Sequence, residues 1–205
     1  MPPPKHTLTA IAKDLAEATL LRGDTAYLTA LVPRRNTNDA VMVNCAFATD
    51  TQKHIAISCI QAILALENAP YYVTYAEASM VTSVNMEDGT DRTRYPSLQD
   101  HPEAKDVLIL TVCERCGTAD VSVLEIQRKP EGTTLSPVFP HIGNATGSLM
   151  NLYDGMPNLD SEKAQRELTA LVNLIAAMPG SPAQLSNISL PANSPKRSEP
   201  RLRPH

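Results

Sequence analysis

Apolar residues recur every three or four positions in three parts of the chain, and this spacing predicts three α-helices. The first helix is expected near residues 8–22, with Gly23 in the position of a C-terminal cap. The second begins with Asp50 or Thr51 as its N-cap and ends at about residue 68, before a proline. It is apolar around much of its circumference, as is typical of a helix packed on more than one side. We therefore expect the second helix at the centre of the fold.

The third predicted helix covers about residues 161–178 and has its apolar residues on one stripe. These residues are Ala164, Leu168, Leu171, Val172, Ile175 and Met178. Beyond this helix, residues 179–205 are rich in Pro, Ser and Asn, so they cannot bury enough apolar surface to offset their ordering entropy. We predict that residues 179–205 and 1–6 are disordered and that residues 7–178 form a single domain.

Four other segments are short, rich in apolar and β-branched residues, and predicted to be strands. They are Ala40–Phe47, Tyr71–Ser83, Lys105–Val112 and Asp120–Arg128. The short gap between the last two predicts an antiparallel hairpin. Residues 25–32 fit either a strand or a helix, and residues 130–158 are predicted to be irregular. The pattern indicates an α+β fold, in which a mostly antiparallel sheet is packed by about three helices and followed by a disordered C-terminal tail.

The charge distribution limits the kinds of partner that the protein can bind. Its net charge is -4 at pH 7, yet residues 195–205 hold four basic residues against one acidic residue. The rest of the chain is therefore acidic, which argues against a broad face for duplex nucleic acid and leaves only weak contacts through the tail. The lack of Trp also argues against base-stacking platforms. A protein partner is the expectation that remains, and the oligomeric state is left open.

The sequence predicts a cytoplasmic protein without membrane contact. No stretch reaches the roughly 20 apolar residues that span a bilayer, and the first six residues lack the order of a signal peptide. The cysteines at positions 45, 59, 113 and 116 fit that compartment as reduced thiols or metal ligands.

Three motifs follow one another between Tyr72 and Arg128. They are the strand Val73–Met80, the tripeptide His101-Pro102-Glu103, and the strand Asp106–Thr111 with a hairpin return. In this order they resemble a family of uncharacterised proteins of bacterial genomes and phages. Members of that family often have Glu-Ala-Trp-Met where this chain has Glu77-Ala78-Ser79-Met80, so the Trp is missing here. The family has no assigned activity, and the resemblance therefore implies a fold and an origin but no chemistry.

Cys113 and Cys116 stand in the sequence Cys-Glu-Arg-Cys-Gly, which predicts a turn at the tip of the hairpin. Two thiolates at this spacing can approach one zinc ion at about 2.3 Å, as in a zinc knuckle. A closed site needs four ligands, so His101, Cys45 or Cys59 would have to complete it. We favour the alternative, a polar turn that contains two cysteines. Redox chemistry of the thioredoxin type needs a helix N-terminus, which a hairpin lacks.

Glu77 is an acid in an otherwise apolar predicted strand, a setting that suits a general acid or base. Together with His101 and the acids of the loop 85–103, it supplies the candidate catalytic residues of a hydrolase. The loop acids are Glu87, Asp88, Asp91 and Asp100. We favour the alternative that Glu77 lies on the solvent face or pairs with Arg128 or Lys105 across the sheet.

The leading functional expectation is a non-enzymatic accessory or protein-interaction protein of phage or mobile-element origin. The first alternative is a small hydrolase that uses Glu77, His101 and the loop acids. The second is a zinc-stabilised binding module built on Cys113 and Cys116. No cofactor other than this zinc ion is indicated.

Overall fold

Seven β-strands form one antiparallel sheet in the computed structural model, which describes residues 1–80, 102–129, 132–142 and 151–190. They are β1 Thr29–Pro33, β2 Asp39–Cys45, β3 Tyr71–Met80, β4 Lys105–Glu114, β5 Ala119–Lys129, β6 Gly132–Ile142 and β7 Ala183–Ser189. Their order across the sheet is β6-β5-β4-β3-β1-β2-β7, and every neighbouring pair is antiparallel. The predicted hairpin of β4 and β5 and the predicted α+β class are confirmed.

Three α-helices cover the two faces of the sheet in the described part of the chain. They are α1 Lys5–Leu21, α2 Asp50–Glu67 and α3 Glu162–Ala177, with a 3-10 turn at Leu152–Gly155. Helix α1 packs on one face, α2 packs on the other, and both α3 and the 3-10 turn lie against α2. The prediction that the second helix is packed on more than one side is confirmed. Among the described residues, no helix combines the length and apolar character needed to cross a membrane.

Strand β3 shows how side chains divide between the two faces. Tyr72 is fully buried in the core that contains Ile60 of α2, whereas Val73 and Tyr75 are buried in the core that contains Leu8 of α1. Since successive strand residues point to opposite faces, a strand covered on both faces must be apolar at nearly every position. Each buried aliphatic side chain contributes about 1.5–3 kcal/mol. These two cores explain why the central strands are rich in Val, Leu and Ile.

Hydrogen bonds fix the start of α2. Thr49 is the N-cap, and its hydroxyl oxygen accepts a hydrogen bond from the amide of Gln52 at 3.2 Å. The Gln52 side chain in turn accepts one from the amide of Ala48 at 2.8 Å. The predicted caps, Asp50 and Thr51, are therefore wrong by one or two positions. Asp50 is the first helical residue, where its carboxylate faces the positive end of the helix dipole.

Two strands form in segments predicted to lack regular structure. Strand β6 lies within residues 130–158 and pairs with β5, although it contains prolines. Strand β7 lies within residues 179–205 and pairs with β2 along its whole length. Its Ser, Asn and Gln residues are typical of loops, so the composition does not predict a strand. Ala183 and Leu185 nevertheless pack into the core on the α2 face. The predicted disorder of residues 179–205 is therefore wrong for residues 183–189.

The N-terminal prediction of disorder over residues 1–6 is also wrong from residue 3 onward, because Pro3 is buried and helix α1 follows. Helix α1 begins at Lys5, and the carbonyl of Pro3 accepts a hydrogen bond from the hydroxyl of Tyr71 at 2.5 Å. Lys5 also donates to Glu114 at 2.5 Å, and this bond holds the pKa of the Glu114 carboxyl below its usual range. The ambiguous residues 25–32 contribute most of strand β1.

Candidate functional site

Helix α3 leaves part of its apolar stripe uncovered. Val172 is buried in the core beneath α2, and Leu168 packs partly against the same core. Leu171 and Met178 of the predicted stripe, however, are 51% and 44% exposed, and Leu174 is 62% exposed. Large apolar side chains that cluster at a surface are typical of contact sites. This part of α3 is therefore the first feature of a candidate interaction site.

A groove runs along α3, between this helix, α2 and the residues that follow the 3-10 turn. It consists of two cavities of about 260 and 270 Å³, and Pro157, Leu168 and Leu171 line both of them. We name it the α3 groove and define it by Ala62, Pro157, Leu159, Leu168, Leu171 and Ile175. Its lining is largely apolar, which suits an apolar ligand surface rather than a charged small molecule.

The 3-10 turn that carries one wall of the groove is anchored in the core. The Tyr153 hydroxyl donates to the carbonyl of Ala69 at 3.2 Å, and its ring centroid lies 5.3 Å from that of Tyr72. The Leu152 amide donates to the Tyr72 hydroxyl at 3.5 Å, and the Arg115 guanidinium lies 5.6 Å from the Tyr153 ring centroid. Burial raises the pKa of both phenols well above the usual value, so both remain neutral at physiological pH. These contacts hold the wall in place without a ligand.

Charged residues of α3 are confined to its first half. Arg166 pairs with Glu162 at 2.9 Å and Lys163 pairs with Glu167 at 3.7 Å, so the four charges compensate one another a turn apart. From Leu168 to Pro195 the sequence contains no Asp, Glu, Lys, Arg or His. The exposed leucines therefore lie in an uncharged part of the chain, and among the described residues Glu167 is the one charged side chain that lines either cavity.

Glu77, the predicted acid–base candidate, is held in an ion pair. Its carboxylate accepts hydrogen bonds from Arg128 at 2.6 Å and from the Ala26 amide at 3.3 Å. The hydrogen bond with Glu77 raises the pKa of the Arg128 guanidinium. The expected pairing of Glu77 with Arg128 is thus confirmed. This geometry ties β3 to β5 and to Ala26, which lies three residues before β1, and this is a structural role.

The other candidate catalytic residues lie outside the described part of the chain. His101 and the loop acids Glu87, Asp88, Asp91 and Asp100 belong to residues 81–101. The hydrolase alternative needs these residues beside Glu77, and it remains a prediction.

The four cysteines occupy two different environments. Cys45, Cys59 and Cys113 are buried in the core on the α2 face, whereas Cys116 is exposed in the turn between β4 and β5. Burial raises the pKa of Cys45 to about 12 and that of Cys59 to about 11. In the part of the chain that the structure describes, no group of three or more His, Cys, Asp or Glu side chains can hold a metal ion. Cys113 and Cys116 alone do not complete a four-ligand site and His101 lies outside the described residues, so the zinc alternative remains a prediction.

The α3 groove combines segments that are far apart in the sequence, so no local motif reveals it. The uncharged run from Leu168 onward is visible in the sequence and is the one signal that points to this surface. No protein-family model, curated protein or solved structure matches the chain. The resemblance of residues 72–128 to phage and bacterial proteins stays a prediction. The α3 groove is therefore the structural feature on which a proposed function can rest.

Proposed function

We propose that the protein is a non-enzymatic accessory protein that holds a partner protein in the α3 groove. The observation that carries this proposal is the exposure of Leu171, Leu174 and Met178 beside an apolar groove. The resemblance over residues 72–128 supports an origin in a phage or other mobile element. The partner's role in that setting would decide which process the protein serves.

The exposed side chains of Leu171, Leu174 and Met178 supply the free energy of this binding. Full burial of one such side chain contributes about 1.5–3 kcal/mol, so covering the exposed halves of three contributes about 3 kcal/mol. Binding also costs less when the receptor surface is already formed. The anchoring of Tyr153 to Ala69 and Tyr72 supports a preformed wall. A partner surface of modest size could therefore bind specifically.

The partner segment that fits this groove best is an amphipathic helix. A helix presents apolar side chains at three-to-four spacing, which matches a long groove with apolar walls on both sides. The charges at the start of α3 pair with one another, so they leave the apolar contact as the main source of affinity. We expect leucine, isoleucine, methionine or phenylalanine anchors on the partner helix.

A matched pair of variants on α3 tests this proposal. We expect Leu174→Asp to reduce the partner recovered with the tagged protein by at least about tenfold, because it places a carboxylate in the apolar contact. Asn173→Asp adds the same charge one residue away, at an exposed polar position, and should retain the partner. Recovery is measured by quantitative mass spectrometry after gentle purification from the natural host.

Two outcomes of this experiment would contradict the proposal. Equal recovery of the partner by both variants would show that the exposed apolar face of α3 beside the groove does not bind the partner. Purification of the tagged protein without any co-purifying protein would argue against a stable partner. Hydrolase activity would then be assayed. Cross-links from Lys163, whose ion-pair partner Glu167 borders one of the two cavities, would locate the partner helix.

A further inference from the structure

We propose that the outer edge of β7 pairs antiparallel with β7 of a second copy of this chain, which joins two sheets across a two-fold axis. Strand β7 is last in the sheet, and among the described residues no strand pairs with its outer side. An unpaired edge presents a row of free amide and carbonyl groups, which is a template for another strand. This surface is separate from the α3 groove.

The hydrogen-bond pattern identifies which residues of β7 face outward. The Ala46 amide donates to the carbonyl of Pro182 at 3.1 Å, while the Cys45 amide donates to Leu28 on the opposite side at 2.8 Å. Because bonding direction alternates along an antiparallel ladder, the even-numbered residues of β7 bond to β2. The odd-numbered residues therefore direct their amide and carbonyl groups away from the sheet.

The first outward residue is already satisfied within the chain. The hydroxyl of Ser181 accepts a hydrogen bond from the Ala183 amide at 3.2 Å and donates to the Ala183 carbonyl at 3.0 Å. Leu185, Asn187 and Ser189 remain as the outward-facing part of the edge. We place the two-fold axis at Asn187, so that Asn187 faces its symmetry mate and Leu185 faces Ser189 of the second copy.

The charge pattern favours a second copy as the occupant. In a pairing about a two-fold axis, the central residue faces its own symmetry mate and like charges there are destabilising. Strand β7 contains no charged residue. Arg34 donates to the Asn187 side chain at 2.6 Å, but its charge is paired with Glu67 at 2.7 Å. Self-pairing of β7 therefore meets no uncompensated repulsion.

The other border of the sheet is built differently. Strand β6 contains Pro137 and Pro140, and proline has no amide hydrogen to donate to a neighbouring strand. Prolines are a common protection of edge strands against pairing. Strand β7 has no proline and no lysine within its seven residues. Of the two borders, β7 is the one open to addition of a strand.

The test is sedimentation velocity of the full chain over a range of concentrations, with variants at Asn187. We expect the wild-type mass to rise with concentration toward twice the monomer mass of 22.2 kDa. Asn187→Pro removes an outward amide and leaves the ladder to β2 intact, so it should stay monomeric. Asn187→Ala keeps the amide, loses the contact with Arg34, and should still form the dimer.

A third variant keeps the test decisive if Asn187→Pro does not fold. Asn187→Asp retains an acceptor for Arg34 but places two carboxylates opposite each other, so dimerisation should weaken about tenfold at low salt and less at high salt. A wild-type protein that stays monomeric at all concentrations would overturn the proposal. So would a dimer that Leu174→Asp dissociates and the Asn187 variants do not, since that result would place the contact on the α3 groove.

Discussion

Cys45, Cys59 and Cys113 are buried, whereas Cys116 lies exposed in the turn between β4 and β5. Burial raises the pKa of the three core thiols, and the thiolate is the reactive form. We therefore expect one thiol per native chain to react rapidly with Ellman's reagent at pH 8, and all four to react in denaturant. Cys116→Ser should abolish the rapid phase without changing the free energy of unfolding.

Cys59→Ala is the matched control, because it removes a buried thiol without placing a hydroxyl in the core and should leave the rapid phase intact. Rapid reaction of two or more native thiols would contradict the burial of the core cysteines. A rapid phase that appears only after addition of EDTA would instead support the zinc alternative, since a bound metal protects its thiolate ligands. Cys113→Ser cannot make this distinction, because a hydroxyl in a buried apolar site is destabilising with or without zinc.

At the scale of single elements, the N-cap of α2 makes a measurable contribution to the free energy of unfolding. Thr49→Ala removes the side-chain acceptor for the Gln52 amide, so we expect the free energy of unfolding to fall by about 1 kcal/mol. Thr51→Ala, at an exposed position in the first turn, should change it by less than about 0.5 kcal/mol. Urea denaturation followed by circular dichroism measures both. Equal losses for the two variants would show that Thr49 does not act as the cap.

The elements that sequence analysis predicts are those with a strong local pattern. Helices α2 and α3 and strand β4 have clear periodicity or continuous apolar runs, so their residues alone determine the type of element. Strand β6 lacks this signal, because its glycine and prolines are typical of loops. Strand β7 lacks it because its Ser, Asn and Gln residues are typical of loops, and its apolar residues reach the core only through pairing with β2. For these two strands, tertiary context overrides local preference.

At the scale of the whole molecule, β7 should be part of the cooperative fold. Ala183 is fully buried and Leu190 is 7% exposed, so their loss would remove apolar burial along with the ladder to β2. We expect a chain that ends at Pro179 to have a free energy of unfolding at least about 3 kcal/mol lower than a chain that ends at Leu190. Urea denaturation of the two chains measures the difference.

Identical urea midpoints for the two chains would contradict this prediction and would support the original expectation of disorder from residue 179 onward. A shorter chain that aggregates would agree with the structure, because removal of β7 exposes the hydrogen-bonding edge of β2. The fraction of soluble protein is therefore measured alongside the unfolding curve.

The candidate site was the least predictable part of the molecule. Its walls come from α2, the residues after the 3-10 turn and α3, which only the folded chain brings together. The apolar stripe of α3 was correctly predicted, but its partial exposure depends on how α3 sits on α2. The ion pair of Glu77 with Arg128 was predictable because opposite charges on nearby strands commonly pair. The absence of charge between Leu168 and Pro195 points to a contact surface only once Leu171 and Leu174 are known to be exposed.

The prolines of β6 also limit how large an assembly can become. If only one border of each molecule accepts a strand, the sheet of each molecule can be extended at that border alone. Joining two copies through β7 would use that border in both copies, so among the described strands no open edge would remain for a third copy. Concentrating the protein would then drive it toward a fixed size. Substitutions that restored amide hydrogens at both Pro137 and Pro140 would open the second border and remove that limit.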